Sequence, residues 1–431
     1  MNKWVGAGLV GLGVVALGGP YLSGMEAETQ YHQSIESLNK QTGITAFSES
    51  YEKGYLGADA VTIINIDRTE LDEELPQKIK LSTHVSHGIY SVSAITHLAL
   101  GEEVTAEFKE MLGDKPPLEI VTKVNLFGNV SIVATTPEIN FTKDGGGETV
   151  SISVFQMAID VASDHKQVKA NINWPGMSVT GEDGDAVSVG KLSMVQTGNQ
   201  LTDYLWTSDM SMTLESVSGT EDGQKFDLKA LKLSSLTEEA GAGRIDSSFN
   251  MTVDSVKFND NEFKNQKLTF ALSDLAIEEF DALMETLDKL DDTAQINDPQ
   301  QQAMAQMEQF SRIGEGVTNL LNKGLKIDIS ELFVSTPKGD VSGKLHLEQP
   351  ESDAVSGAGP GALLQTTKGN LSLSVPVSLI EGGPPEMQQQ LDALLAQSFI
   401  VKEGEDYKAE ATLENMIINL NGIELPLPPL M

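Results

Sequence analysis

Apolar and polar residues alternate with period two over most of this chain, and that pattern limits it to half-buried strands. Ile79, Leu81, Thr83 and Val85 alternate with Lys80, Ser82 and His84. Thr122, Val124 and Leu126 alternate with Val121, Lys123 and Asn125 up to the turn signal Gly128-Asn129, and Val130, Ile132 and Ala134 continue the pattern beyond it. Side chains two apart on a strand share a face, so each run offers one side to a core and the other to water. Similar runs recur at 150–161, 168–174, 210–217, 226–233 and 249–258, separated by the Gly, Asp and Asn clusters that close hairpins. Residues 326–334 and 341–347 flank the turn Thr336-Pro337-Lys338-Gly339-Asp340, and further strands are expected at 371–377, 398–402 and 408–414. The apolar end from Ile417 to Leu430 reads as a tucked-in final strand and cap, against the alternative of a polyproline docking peptide.

Helical spacing interrupts the strands in few places. Leu275, Phe280, Leu283, Met284, Leu287 and Leu290 form one stripe, and Met304, Met307, Phe310, Ile313, Val317, Leu320 and Leu321 form a second after Pro299. The two stripes predict a helical hairpin closed by Asn297-Asp298-Pro299, its methionines serving as core filler. A short amphipathic helix is expected from Pro385 to Gln397. Tyr31, Ile35 and Leu38 predict another ahead of Gly43.

That early helix follows an uncharged run from Trp4 to Leu22, with Lys3 before it and Glu26 and Glu28 after it. At about 1.5 Å per residue these 19 positions span roughly 29 Å, the thickness of a bilayer's hydrocarbon. Lys3, Trp4, Leu9, Val14, Leu17 and Leu22 are the expected anchor residues, and the charge asymmetry places the rest of the chain outside the cytoplasm. No A-x-A triplet stands between Gly18 and Glu28, which favours a retained signal-anchor over a cleaved signal peptide. Gly6, Gly8 and Gly11 match the G-x-G-x-x-G string but follow no strand, so they carry no dinucleotide reading. Ala7 and Gly11, four apart, offer a face on which two anchors can meet.

The resulting fold is mainly β within an α+β class: an N-terminal transmembrane helix, then an extended, curved antiparallel sheet of meandering hairpins with an inserted helical hairpin. Its divisions fall at 1–25 for the signal-anchor, 26–43 for a helical stalk, 44–274 for a β-rich region, 275–324 for the helical hairpin and 325–431 for a second β-rich region.

Chemistry is harder to find. The 63 acidic and 29 basic residues leave a formal charge of −34, which repels nucleic acid and excludes it as a partner. Cysteine is absent, removing disulfides, thiolate metal sites and cysteine nucleophiles. His84 and His87 are three apart on a strand and so point to opposite faces, and no H-E-x-x-H is present. Gly176-Met177-Ser178-Val179-Thr180-Gly181 misses the G-x-S-x-G elbow by one position. Asp183-Gly184-Asp185 and Asn259-Asp260-Asn261-Glu262 lack the full calcium-loop pattern and read as hairpin turns. These residues nominate no catalytic, cofactor or metal site.

The order of several landmarks resembles the YdgA family of bacterial proteins, whose domain has no known function. They are Tyr51-Glu52-Lys53-Gly54-Tyr55-Leu56, the pair His87-Gly88, the helix entry Leu272-Ser273-Asp274-Leu275, the turn Thr336-Pro337-Lys338-Gly339 and the closing Asn421-Gly422. Ile89 stands where the family pattern often has proline. The resemblance implies an envelope protein held in the bacterial inner membrane and capable of self-association, and it implies no activity. The favoured reading is therefore a non-catalytic periplasmic scaffold whose partner is a second copy or another envelope protein. The alternative is a carrier of lipid or another hydrophobic ligand, with Val124, Leu126, Val130 and Ile132 lining an apolar groove.

Overall fold

Antiparallel pairing of successive strands builds almost everything in the computed structural model, which describes residues 27–39, 43–66, 78–99, 106–113, 115–143, 147–181, 183–288, 299–352, 365–381 and 385–427. The protein is mainly β, as the alternation requires. The expected anchor residues Lys3, Trp4, Leu9, Val14, Leu17 and Leu22 and the turn Asn297-Asp298 lie outside the described residues. Among the described residues no helix is long and apolar enough to cross a membrane. The chain divides into two units, one of 1–198 with 217–223, the other of 199–216 with 224–431.

The first unit opens with helix α1 (Ala27–Leu38), followed by β1 (Ile44–Lys53), β2 (Gly57–Ile66), β3 (Lys78–His87), β4 (Ser91–Ala99), helix α2 (Ala106–Leu112), β5 (Glu119–Asn125) and β6 (Val130–Thr135). Short strands β7 (Ile139–Thr142) and β8 (Thr149–Ile152) precede β9 (Gln156–Val161), β10 (Gln167–Trp174), β11 (Met177–Thr180), β12 (Ala186–Val189) and β13 (Leu192–Gln200), and of β14 (Trp206–Glu221) the part from Val217 onward belongs to this unit. Strands β1 to β6 pair in chain order, and β9 and β10 extend that ladder beyond β6. A second ladder runs β7, β8, β11, β12 and the 217–220 stretch of β14.

The core of this unit follows from parity. Ile79, Leu81, Thr83 and Val85 point inward on β3, as do Ile120, Thr122 and Val124 on β5, and all are buried. Helix α1 covers them. The expected stalk is instead a packed element, because Tyr31, Ile35 and Leu38, four and three apart, form one apolar stripe that joins the core. Ala46, Ala58, Ala60 and Ala94 lie in the same cluster, and their small side chains leave room for a helix to lie close to the sheet. The Tyr31 hydroxyl shares a 2.8 Å hydrogen bond with Thr62 Oγ1 and reaches Ser48 Oγ at 3.2 Å, so its burial leaves no polar atom unpaired. Its ring packs 5.2 Å from that of Tyr51, whose phenol is pushed up by burial and, behind it, by the Glu28 carboxylate. Helix α2, which the hydrophobic spacing does not reveal, places Leu112 over Ile139 and Val150 as a small second core.

The second unit opens on long strands. They are β15 (Gln224–Gly241), β16 (Arg244–Phe258) and β17 (Asn261–Ala276). Helices α3 (Ile277–Asp288) and α4 (Pro299–Asn322) follow, then β18 (Leu325–Thr336), β19 (Gly339–Gln349) and β20 (Lys368–Pro376). The short helix α5 (Val377–Ile380) and α6 (Pro385–Ala396) precede β21 (Val401–Glu403), β22 (Asp406–Glu414), β23 (Ile417–Leu420) and β24 (Ile423–Pro426). Strands β15 to β20 pair in order, β20 pairs with β22, and β22 continues to β23 and β24 while β21 shares its flank.

Three details differ from the sequence expectation. Leu275 belongs to the end of β17, where it is buried, and the first helix begins at Ile277. The expected final strand is a hairpin, closed by Asn421 and Gly422 at φ 48° and 88°, the left-handed pair of a two-residue turn. The strands at 210–217, 226–233 and 249–258 run several residues further at one or both ends, because polar residues such as Ser234, Ser235 and Thr237 still pair in the ladder.

At the end of the second unit Val377, Leu391 and Tyr407 form a small core, with Ile380, Leu395 and Ile400 against it. The Tyr407 phenol is pushed up by burial and by the Glu381 carboxylate, to which it donates a 3.3 Å hydrogen bond.

Two outcomes follow for stability. Ile132→Ala removes a side chain that is 2% exposed in the first core, and should cost about 2–5 kcal/mol, while Leu126→Ala in the exposed β5–β6 turn should cost under about 0.5 kcal/mol. Urea denaturation followed by circular dichroism reads both. A phenol raised in the folded state stabilises it below the unfolded tyrosine value, about 10, and this contribution is lost as pH rises through the folded value. The urea midpoint of the native chain should therefore fall more steeply above about pH 10 than that of Tyr407→Phe; parallel slopes would show that the phenol is not the group titrating.

Candidate functional site

Register in the second unit lines up apolar side chains across many strands. Phe249, Phe270, Ile329, Leu345, Leu371, Ala411 and Leu420 are successive partners from β16 to β23. Seven strands at about 4.8 Å spacing make this row roughly 29 Å long. A neighbouring row passes through Leu272, Ile327, Leu347, Leu413 and Ile418, and another through Leu268, Leu332 and Leu373. A bulge between Ile329 and Leu332 inserts one residue into β18 and so keeps Leu332 on this face. Gly343 lies between Leu332 and Leu373, and a Cβ there would stand 3.3 and 3.4 Å from their methyl groups. The two leucines thus close over the glycine and keep the row continuous.

This apolar face is open. Leu332, Leu371 and Leu373 are 37–40% exposed at mid-sheet, whereas the inward residues of the first unit are almost wholly buried. Helices α3 and α4 pack on one another instead, with Leu283 buried and Gly316 directly against it. Lys323 and Glu279 pair at 3.4 Å across the two helices, and Thr202 donates to Asp281 at 2.8 Å.

The opposite face of the same strands is polar. Asp328, His346, Asn370, Thr412 and Asn419 form one cross-strand row, and Lys344, Ser372 and Glu410 the next. With Ile329, Leu345, Leu371 and Ala411 between them along the strands, they line an open trough of about 640 Å³. His346 Nδ1 lies 2.6 Å from Asp328 Oδ1. Asn421 fixes the far rim, accepting from the Glu410 amide and donating to the Phe399 carbonyl, both at 2.9 Å. Beyond the trough Lys326 pairs with Asp274 at 2.7 Å, and that hydrogen bond holds its ammonium above the usual lysine value.

The residues singled out in the sequence fall elsewhere. Val124, Val130 and Ile132 come together, but at 2–3% exposure inside the closed core beneath α1. Leu126 does not join them: it stands in the β5–β6 turn, open to solvent. An open groove on these four residues would require the first three to be accessible, and α1 packs in their cluster. His84 faces outward and meets Asp59 Oδ1 at 2.6 Å, while His97 meets Glu119 at 3.0 Å. Among the described residues no three His, Asp or Glu side chains are grouped to hold a metal ion. Ser178 lies inside β11, not on a strand-to-helix turn. Asp185 accepts from the Asp222 amide at 3.2 Å and Asn259 from the Lys225 amide at 2.9 Å, so each side chain ties its turn to a neighbouring one.

Sequence reasoning missed the open face of the second unit. Its signals were present in Ile327 and Ile329, Leu345 and Leu347, Leu371 and Leu373, yet only the register shows that these pairs meet.

Compared with known proteins, a family model described as "Bacterial protein of unknown function (DUF945)" matches residues 1–428. Protein YdgA of Escherichia coli (strain K12) is similar at 23% identity over 297 residues, which cover 63% of this chain and 56% of that protein. The match thus spans little more than half the length of that relative. No solved structure matches the chain.

Proposed function

The chain belongs to the DUF945 family of bacterial proteins of unknown function, and on that premise we propose that it is a non-catalytic binder of lipid in the cell envelope. In this reading residues 1–25 hold it in the inner membrane as a single-pass signal-anchor, with the bulk of the chain on the periplasmic side. The second unit takes an acyl chain, or a ligand of similar apolar length, on its open apolar face.

The observation that carries this reading is the unbroken row from Phe249 to Leu420, left half exposed at Leu371. A contiguous apolar surface of this kind costs free energy in water unless something covers it. One leaflet of a bilayer's hydrocarbon is about 15 Å thick, so an extended acyl chain fits within a row roughly 29 Å long. The exposed row supports a carrier over a scaffold, with the ligand surface on the second unit. The excess of acidic residues favours a ligand whose polar end is neutral or cationic.

Native mass spectrometry with lipid extraction, on full-length protein purified from membranes without harsh detergent washing, tests the proposal. Co-purifying lipid is expected, and the double substitution Leu371→Asp with Leu373→Asp should lower its occupancy at least tenfold while leaving the far-ultraviolet spectrum unchanged. A clean, ligand-free protein that emerges as a dimer or with a protein partner would restore the scaffold reading.

A further inference from the structure

Three hairpin turns of the first unit break the rule that turns are polar. The β1–β2 turn carries Tyr55 and Leu56, the β3–β4 turn Ile89 and Tyr90, and the β5–β6 turn Leu126 and Phe127, all six between 64% and 99% exposed. Turn positions ordinarily hold Gly, Asn, Asp, Ser or Pro. Other hairpins of the same chain obey this, closing on Ala242-Gly243, Asn259-Asp260, Pro337-Lys338 and Asn421-Gly422.

Antiparallel order brings the three exceptions together. Strands β1 to β6 pair as an uninterrupted meander, so every second turn falls at the same end of the ladder, and these are the successive turns of that end. The His87 amide donates to the Leu56 carbonyl at 2.7 Å, tying the first turn to the second. Asn125 Oδ1 accepts from the amides of Phe127 and Asn129, which fixes the third turn with Phe127 outermost. The next turn at this end, 162–167, is polar again, with Ser163, Asp164, His165 and Lys166. The patch is therefore bounded.

Helix α1 shows what lies next to it. It runs antiparallel to β1: its C-terminal Asn39 bonds the backbone of Ala46, while Glu28 at its N-terminal end pairs with Lys53 at 3.7 Å. Lys53 immediately precedes the first apolar turn. The N-terminus of α1 and the three turns thus share one end of the unit, and in the sequence the uncharged run of residues 4–22 stops only a few residues before α1 begins.

From this placement we infer that the three turns form a second membrane contact, seating the first unit on the surface of the bilayer into which residues 1–25 insert. The inference rests on reading that segment as an anchor. Tyrosine suits the headgroup boundary, and Phe127, Ile89 and the two leucines suit the acyl region just beneath it. The chain would then be held by a helix and a three-pronged foot, which fixes the orientation of the first unit relative to the membrane.

The absence of cysteine makes the test direct. Full-length Ile89→Cys and Phe127→Cys, each labelled with an environment-sensitive nitrobenzoxadiazole dye, are reconstituted into phosphatidylcholine vesicles with and without doxyl-labelled lipid. Glu110→Cys, exposed on the helix α2 that follows β4 in the chain, is the control. Flotation on a density gradient is read in parallel. The expected result is emission shifted to the blue and at least twofold stronger doxyl quenching at 89 and 127 than at 110. Vesicle-bound protein with unquenched tips would overturn the inference and leave the anchor intact. Protein that fails to float, with unquenched tips, would overturn both. A blue shift without doxyl quenching would mean that protein covers the tips, either a second copy or another partner, and would also overturn it.

Discussion

Parity governs this molecule. A strand repeats every two residues, so a slip of one position in any ladder would send its apolar side chains to the solvent face. In the first unit Leu81 and Val124 reach the core only because β2 to β5 keep their registers; in the second, Ile329, Leu345 and Leu371 meet for the same reason. Where a strand has a residue too many, as β18 has between Ile329 and Leu332, a bulge restores the phase. The chain has no disulfide to enforce any of this, so side-chain burial and turn geometry must do so alone.

The two units then diverge on one point, whether a helix comes down on the inner face. In the first unit α1 does so, and the alanines of β1, β2 and β4 are small enough to admit it. Tyr31 adds a polar check on that docking, since its hydroxyl finds Thr62 only when the helix is seated at the correct height. In the second unit the helices between β17 and β18 bury Leu283 against Gly316, and among the described residues α6 packs Leu391 at the Tyr407 end. Apolar rows thus make a closed core, mainly of isoleucine, valine and alanine, in one place and an open surface carrying leucine in the other. The difference lies in what packs on the strands, and the strands alone do not reveal it.

This is also why the fold was readable in the sequence to a greater extent than the site. Alternation at 79–85 and 121–134 identified strands, inward residues and the hairpin at Gly128-Asn129; the turn at Thr336 to Asp340 and the helix from Pro385 were equally plain. Local pattern carries that information because each signal lies within one strand or turn. The stripe of Tyr31, Ile35 and Leu38 identified a helix but could not tell a stalk from a lid, since the alanines that receive it lie further along the chain. Val124, Val130 and Ile132 carry the same ambiguity: inward-facing residues line either a trough or a core, and their partners decide which. The open rows of the second unit depend on successive pairings that link Phe249 to Leu420, a separation no periodicity reaches. The apolar turns were visible as Tyr55, Ile89 and Phe127, yet their proximity depends on the meander bringing alternate turns to one end.

The last strand, β24, has a proline at its end, Pro426, where it pairs with Ile417. Among the described residues β24 has no ladder partner other than β23. A sheet that grows by adding strands has no internal reason to stop growing, and a free edge beside exposed leucine rows is the geometry from which fibres propagate. Proline offers no amide hydrogen to an incoming chain, and the sequence supplies two more within the next three residues, Pro428 and Pro429. With Pro426 at its end, β24 offers an incoming strand an incomplete row of donors, the equivalent of a capped end group in a growing polymer.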